Sequence, residues 1–202
     1  MLLNCGTEIA GSCHGGSSTG AYEFAHTHGV PDDTCQLYRA VDDECTDLNV
    51  CATCVKPVGD TTKCSAVPEY TLWRAEEYGD VKGEAAMMAE VFARGPIACS
   101  IDATPLHVYE GGIIDNFKTT KTNHVVSVAG WGEDTDDDGN VTPYWIVRNS
   151  WGTYWGEQGW FRIVRGKNSA HIEHHCAWAT PSHEKHSGSY AAEIKKTYNP
   201  FM

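Results

Sequence analysis

Two runs of β-branched, aromatic and small residues, Val125 to Trp131 and Tyr144 to Val147, flank the polar segment Glu133 to Asn140. That pattern restricts the middle of the chain to an antiparallel hairpin with an acidic turn. If Val128 pairs with Trp145, the constant residue sum down such a ladder places His124 opposite Asn149 at the open end. An imidazole works as a general base when something fixes its tautomer and orientation, and an amide oxygen on Asn149 can accept one ring N–H and leave the other nitrogen free. Trp151, two residues further on, lies on the same face of an extended chain and can shield that hydrogen bond from water. A lone histidine in a sheet is most often structural. Here one local geometry places His124, Asn149 and Trp151 together, which favours a catalytic pair.

These residues resemble the His and Asn blocks of the papain family of cysteine peptidases. The resemblance is carried by Asn-His-Val-Val-Ser-Val-Ala-Gly-Trp-Gly at 123–132 and Tyr-Trp-Ile-Val-Arg-Asn-Ser-Trp-Gly at 144–152. It continues through Trp155-Gly156-Glu157 and Gly159-Trp160-Phe161-Arg162-Ile163. The stretch Tyr70 to Arg74, with Met87 to Glu90 and Gly95-Pro96-Ile97, is similar to the cathepsin Z branch. Roughly residues 2–178 are covered.

The resemblance implies an α+β, papain-like two-lobe fold with a cleft between the lobes. Residues 1–67 would be an incomplete helical, disulfide-rich lobe, 68–181 a β-barrel-like lobe carrying His124 and Asn149, and 182–202 a loosely attached polar tail. It implies peptide-bond hydrolysis on peptide or protein substrates, with His124 and Asn149 catalytic and no cofactor or metal, and carboxypeptidase action as in the cathepsin Z branch is open. Cys13-His14-Gly15-Gly16 resembles the family's Cys-x-Gly-Gly segment, so Gly15 and Gly16 would line the substrate cleft, where glycine lets a backbone approach closely. Trp151 and Trp155 would line the leaving-group side.

Nine cysteines, seven of them between Cys5 and Cys64, point to an oxidising compartment, lysosomal or secreted. Cys51-Ala52-Thr53-Cys54 also has the spacing of half a zinc site, but no second CxxC follows, and His171, His174 and His175 are far along the chain. The resemblance implies the pairs Cys5–Cys45, Cys35–Cys51, Cys54–Cys64 and Cys99–Cys176, leaving Cys13 single. With Lys+Arg 15 against Asp+Glu 27, the formal charge of −12 offers no basic surface for nucleic acid or an anionic membrane.

Leu2 to Gly6 reads as the end of an element whose start is absent. In this family His follows the nucleophilic Cys by roughly 130 to 150 residues, which places that Cys upstream of Met1. Gly11-Ser12-Cys13 imitates the nucleophile block but departs from it: Ala10 replaces a cysteine, His14 an aromatic residue, and Gly15-Gly16 would break the helix that lowers the thiol pKa. The chain as given is therefore expected to be inactive, and the alternative reading is a catalytically inactive peptidase-like binding protein. Helices are predicted from Ser17 to His28 and from Gly83 to Arg94, the second with Met87, Met88, Val91 and Phe92 as its apolar face. A strand is predicted from Ile97 to Ile101. Asn140-Val141-Thr142 is a glycosylation sequon on the exposed turn.

Overall fold

The computed structural model describes residues 1–198. The described residues form two compact units, one of residues 1–78 joined by 179–198, the other of residues 79–178. These limits differ from the expected divisions at 67/68 and 181/182. The chain passes between the units within single strands, which carry no composition change to mark a border.

In the first unit a one-turn helix α1 (Leu2–Cys5) precedes a small hairpin, β1 (Gly11–Ser12) and β2 (Gly15–Gly16). Helix α2 (Ser18–His28) follows, with the Ser17 hydroxyl accepting from Gly20 N at 3.1 Å as its N-cap. Gly20 is obligatory, because a Cβ there would lie 2.0 Å from the Ile9 carbonyl oxygen. After β3 (Val30–Pro31) come two 3-10 turns and the hairpin of β4 (Ala52–Val55) and β5 (Lys63–Ala66). This polar stretch buries little besides Val50 and Cys51, and Cys5–Cys45, Cys35–Cys51 and Cys54–Cys64 hold it, as the resemblance implied. Strand β6 (Glu69–Val81) pairs with β3 and leads into the second unit.

There α3 (Glu84–Arg94) lies before β7 (Ile97–Ile101), β8 (Ile113–Ile114), β9 (His124–Thr135), β10 (Val141–Arg148) and β11 (Trp160–Val164). The sheet order is β7-β9-β10-β11-β8, antiparallel except for the β11–β8 pair. Cys176, at the start of β12 (Cys176–Ser187), pairs with Cys99 and bridges it. Alternation along β7 turns Ile97, Cys99 and Ile101 inward, where they meet Met87, Val128, Trp145, Val147, Phe161 and Ile172. One predicted face is corrected: Phe92 is 85% exposed, while Glu90 is buried and pairs with Arg94 at 2.5 Å.

The hairpin register also differs from expectation. Glu133, Asp134 and Thr135 are strand, pairing with Pro143, Thr142 and Val141, because Asp136 alone closes the turn by accepting from Asp138 N, Asn140 N and Asn140 Nδ2. Trp145 therefore opposes Trp131, and a bulge after Ile146 brings Val147 opposite Val128. His124 pairs with Ile101 of β7, not with Asn149.

Residues 182–198 are no loose tail. Strand β12 runs on to Ser187, and α4 (Tyr190–Tyr198) buries Tyr190, Ala191 and Ile194 in the first unit with Phe24 and Leu72. The Tyr190 hydroxyl donates to Gly29 O at 2.7 Å, and Ala191 N donates to Asp47 Oδ1 at 2.9 Å. Residues 199–202 of the expected tail lie outside the described residues. Ile194→Ala is expected to lower the unfolding free energy by about 2–4 kcal/mol in a urea titration, as for other fully packed aliphatics. An effect within the usual surface range of about 0.5 kcal/mol would return the tail to a loose attachment.

Asn168 Oδ1 accepts from Glu173 N at 2.9 Å, which turns Nδ2 of the same amide towards His171 Nδ1 at 3.3 Å. The ring must then present a lone pair, and protonation there removes the bond. Burial, and then the neighbouring His174, hold the His171 pKa below its ordinary value. A folded-state pKa below the unfolded one gives stability that is present above the unfolded value and lost as pH falls through the folded one. His171→Asn, which tolerates the positive φ of 65°, should show a smaller loss of thermal stability between pH 7.5 and pH 5 than the parent. An equal loss in both proteins rules out this contribution.

Candidate active site

The second unit brings four of the predicted residues together. His124 opens β9, held by its ladder to Ile101, while Asn123 Oδ1 accepts from Ala103 N at 2.9 Å just before it. Asn149 follows the end of β10, and its backbone N–H donates to Gly159 O at 2.9 Å. The two side chains meet with His124 Nε2 and Asn149 Oδ1 2.8 Å apart. They meet beyond the last rung of the β9–β10 ladder, not as a cross-strand pair.

The chemistry of that bond follows from a second one. Ser150 N also lies 2.8 Å from Asn149 Oδ1. A backbone N–H only donates, so the atom facing it must be the amide oxygen, and the usual ambiguity between amide oxygen and nitrogen disappears. The same oxygen faces His124, so Nε2 carries the hydrogen and donates. The neutral ring is left with its lone pair on Nδ1, free to take a proton. Asn149 is buried, and a buried, doubly used acceptor holds this tautomer firmly.

A cluster of aromatic rings borders the pair on one side. The Trp151 indole lies with its centroid 5.4 Å from the His124 ring and 5.3 Å from that of Trp155, which packs on Tyr109 and Phe161. Trp155 Nε1 donates to Leu106 O at 3.3 Å. The loop between the two tryptophans and β11 has a conformation that glycine permits: Gly152 and Gly159 have φ of 89° and 91°, and a Cβ on Gly156 would lie 2.7 Å from Trp160 O. Glu157 ties the loop down, bonding Arg162 through both oxygens and accepting from Gly112 N at 3.0 Å. The Arg162 guanidinium accordingly holds the Glu157 carboxyl below the usual range.

Sequence reasoning missed His107. It sits on the 3-10 turn Thr104–Val108 and stacks on Trp151 with centroids 5.3 Å apart and 26° between planes. The turn is anchored by buried Asp102, whose carboxylate accepts from Thr104 N, Thr104 Oγ1 and Thr119 Oγ1 at 3.0, 2.6 and 2.9 Å. The Asp-x-Thr spacing is a readable turn cap, but nothing in the chain pointed from His107 to Trp151.

Gly15 and Gly16 belong to the first unit, where both are exposed in β2. A Cβ on Gly16 would lie 2.3 Å from Ala10 O, so packing inside that unit requires a glycine there, while one on Gly15 meets nothing within 4 Å. Among the described residues eight cysteines form disulfides, and Cys13 is free and exposed. Local desolvation, and then the Asp42 carboxylate that bonds the thiol and repels a thiolate, push the Cys13 pKa up. A nucleophilic thiol needs the opposite environment. No group of three or more metal-ligating side chains occurs among the described residues.

The sequence profile of the papain family cysteine proteases matches residues 1–180. The chain belongs to that family. It is 43% identical over 188 residues to cathepsin Z of Onchocerca volvulus, covering 89% of this chain and 58% of the relative. It is 31% identical to tubulointerstitial nephritis antigen-like of Rattus norvegicus, covering 85% of this chain and 41% of that one. Among solved structures it is similar to digestive procathepsin L 3 of the Tenebrio molitor larval midgut, with TM-score 0.68 and 27% identity over 89% of this chain and 53% of that one. Bromelain from Ananas comosus in complex with the E64 inhibitor gives TM-score 0.65 and 28% identity over 89% and 75%. The chain spans about half the length of the curated relatives it matches.

If the Asn149 oxygen serves two donors, its removal takes the partner from two part-buried N–H groups at once. Asn149→Ala is expected to lower the unfolding free energy by about 1–3 kcal/mol, and Asn149→Asp, which keeps an acceptor for both donors, by clearly less. Equal losses measured by denaturant unfolding would show that the oxygen is not the group that matters.

Proposed function

We propose that this chain is the C-terminal portion of a papain-like cysteine peptidase, in which His124 is the general base and acid and Asn149 positions it. The observation that carries the reading is the pair of 2.8 Å contacts at Asn149 Oδ1, from Ser150 N and His124 Nε2, which leaves Nδ1 for a thiol. In the complete protein a cysteine outside these 202 residues gives its proton to Nδ1, and the thiolate attacks the carbonyl carbon of a peptide bond. The imidazolium then protonates the leaving amine, an acyl-enzyme forms, and water, deprotonated by the neutral ring, releases the acid. Because His124 delivers that proton, the leaving group sits against it, and Trp151 and Trp155 line that side. Gly15 and Gly16 are assigned to the acyl side of the substrate by the family motif. Carboxypeptidase action is the finer proposal, supported by similarity to cathepsin Z. A lysosomal or secreted location is supported by four disulfides and by cathepsin relatives.

The second reading is a peptidase-like protein that binds peptides without cleaving them. It is favoured by Cys13, the free cysteine of the described residues, whose raised pKa suits a thiol kept protonated. The two separate in one experiment: a thiol-directed peptidyl inhibitor is applied to the 202-residue chain and to the protein made from the complete coding sequence. The proposal expects stoichiometric labelling of a cysteine outside residues 1–202 in the longer protein and none at Cys13. In that protein, His124→Ala should lower kcat/KM by about a thousandfold or more. Stoichiometric labelling of Cys13, with turnover that depends on His124, overturns the assignment of the nucleophile. A longer protein that is neither labelled nor active leaves the binding reading standing.

A further inference from the structure

The acidic turn of the β9–β10 hairpin plays no part in the chemistry above, yet it carries the sequon Asn140-Val141-Thr142. We infer that Asn140 is an N-glycosylation site that the folded hairpin is built to carry. Asn140 is exposed and follows Gly139, whose φ of 83° turns the chain at the tip. Val141, which is no proline, is 56% exposed beside it. An apolar side chain at an open tip is surface that a first sugar ring can cover.

The turn's hydrogen bonds accommodate the modification. Asn140 Nδ2 donates to Asp136 Oδ2 at 2.9 Å, while its backbone N donates to Asp136 Oδ1 at 2.8 Å. A primary amide has two N–H groups, and this bond uses one. In glycosylation the amide nitrogen attacks C1 of a lipid-pyrophosphate-linked oligosaccharide. The new C–N bond forms as the C–O bond to the pyrophosphate breaks, the nitrogen gives up one proton, and the lipid pyrophosphate leaves with the bonding pair. The remaining N–H keeps the bond to Asp136, so the turn closes with or without the glycan.

The position spares the catalytic pair. His124 and Thr135 are the two ends of the twelve-residue β9, so about 35 Å of strand separates the pair from the tip. The four disulfides suit an oxidising compartment, and in eukaryotic cells the secretory route supplies both disulfide formation and sequon glycosylation.

The test places a cleavable signal peptide before the 202-residue chain in a secreting eukaryotic host and reads the mass of the peptide containing Asn140, which does not depend on folding. A glycan at Asn140 is expected. Asn140→Gln and Thr142→Ala should abolish it, and Thr142→Ser should keep it. Peptide N-amidase acting on the native protein should remove the glycan, converting Asn140 to aspartate, at no less than half the rate seen after denaturation. An unmodified Asn140 in the secreted chain, a glycan that survives Thr142→Ala, or a glycan released only after denaturation each overturns the inference.

Discussion

The structure around His124 and Asn149 depends on one acceptor, the side-chain oxygen of Asn149. It takes a hydrogen bond from Ser150 N and another from His124 Nε2, both at 2.8 Å. The first bond decides which end of the amide faces the histidine, and the second turns that choice into a tautomer. Everything nearby keeps this oxygen in place. The Asn149 backbone is tied to Gly159, the loop that bears Gly159 is tied by Glu157 to Arg162, and Trp151 lies over the ring. The Trp151 ring lies beside His124 and rests in turn on Trp155 and Phe161, which covers one side of the pair.

The supporting shell is as polar as the pair itself. Buried Glu173 accepts from the Trp145 indole at 2.8 Å and from Gly166 N and Asn168 N at 2.7 and 2.9 Å, fixing the turn before Cys176 to the sheet that presents Asn149. Asp102 fixes the turn that carries His107. Both carboxylates are satisfied by several donors, and removing one partner from such a group costs more than the bond itself is worth.

Much of this was legible in the sequence. The runs of β-branched, aromatic and small residues from Val125 to Trp131 and Tyr144 to Val147, with a polar segment between them, mark the hairpin, and His124, Asn149 and Trp151 stand out at its open end. The register was not legible, because it depends on whether Asp136 or Glu133 begins the turn, and that is set by three hydrogen bonds to a single carboxylate. His124 and Asn149 meet whatever the register, because their contact forms outside the ladder. Helix α4 was hidden for a different reason: its buried stripe is only Tyr190, Ala191 and Ile194, too few to stand out in a polar composition. Phe92 belongs to the apolar face by spacing, yet it is exposed, while Glu90, paired with Arg94, is buried. His107 reaches Trp151 through tertiary packing, for which no local pattern exists.

The two contacts at Asn149 Oδ1 place His124 as the Nε2–H tautomer, with Nδ1 left to accept a proton. Nitrogen-15 NMR of the His124 ring, recorded above its titration range, measures this directly. The account expects a pyrrole-type shift for Nε2 and a pyridine-type shift for Nδ1, collapsing towards a tautomer average in Asn149→Ala. A ring protonated at Nδ1, or a preference unchanged by the loss of Asn149, would contradict it.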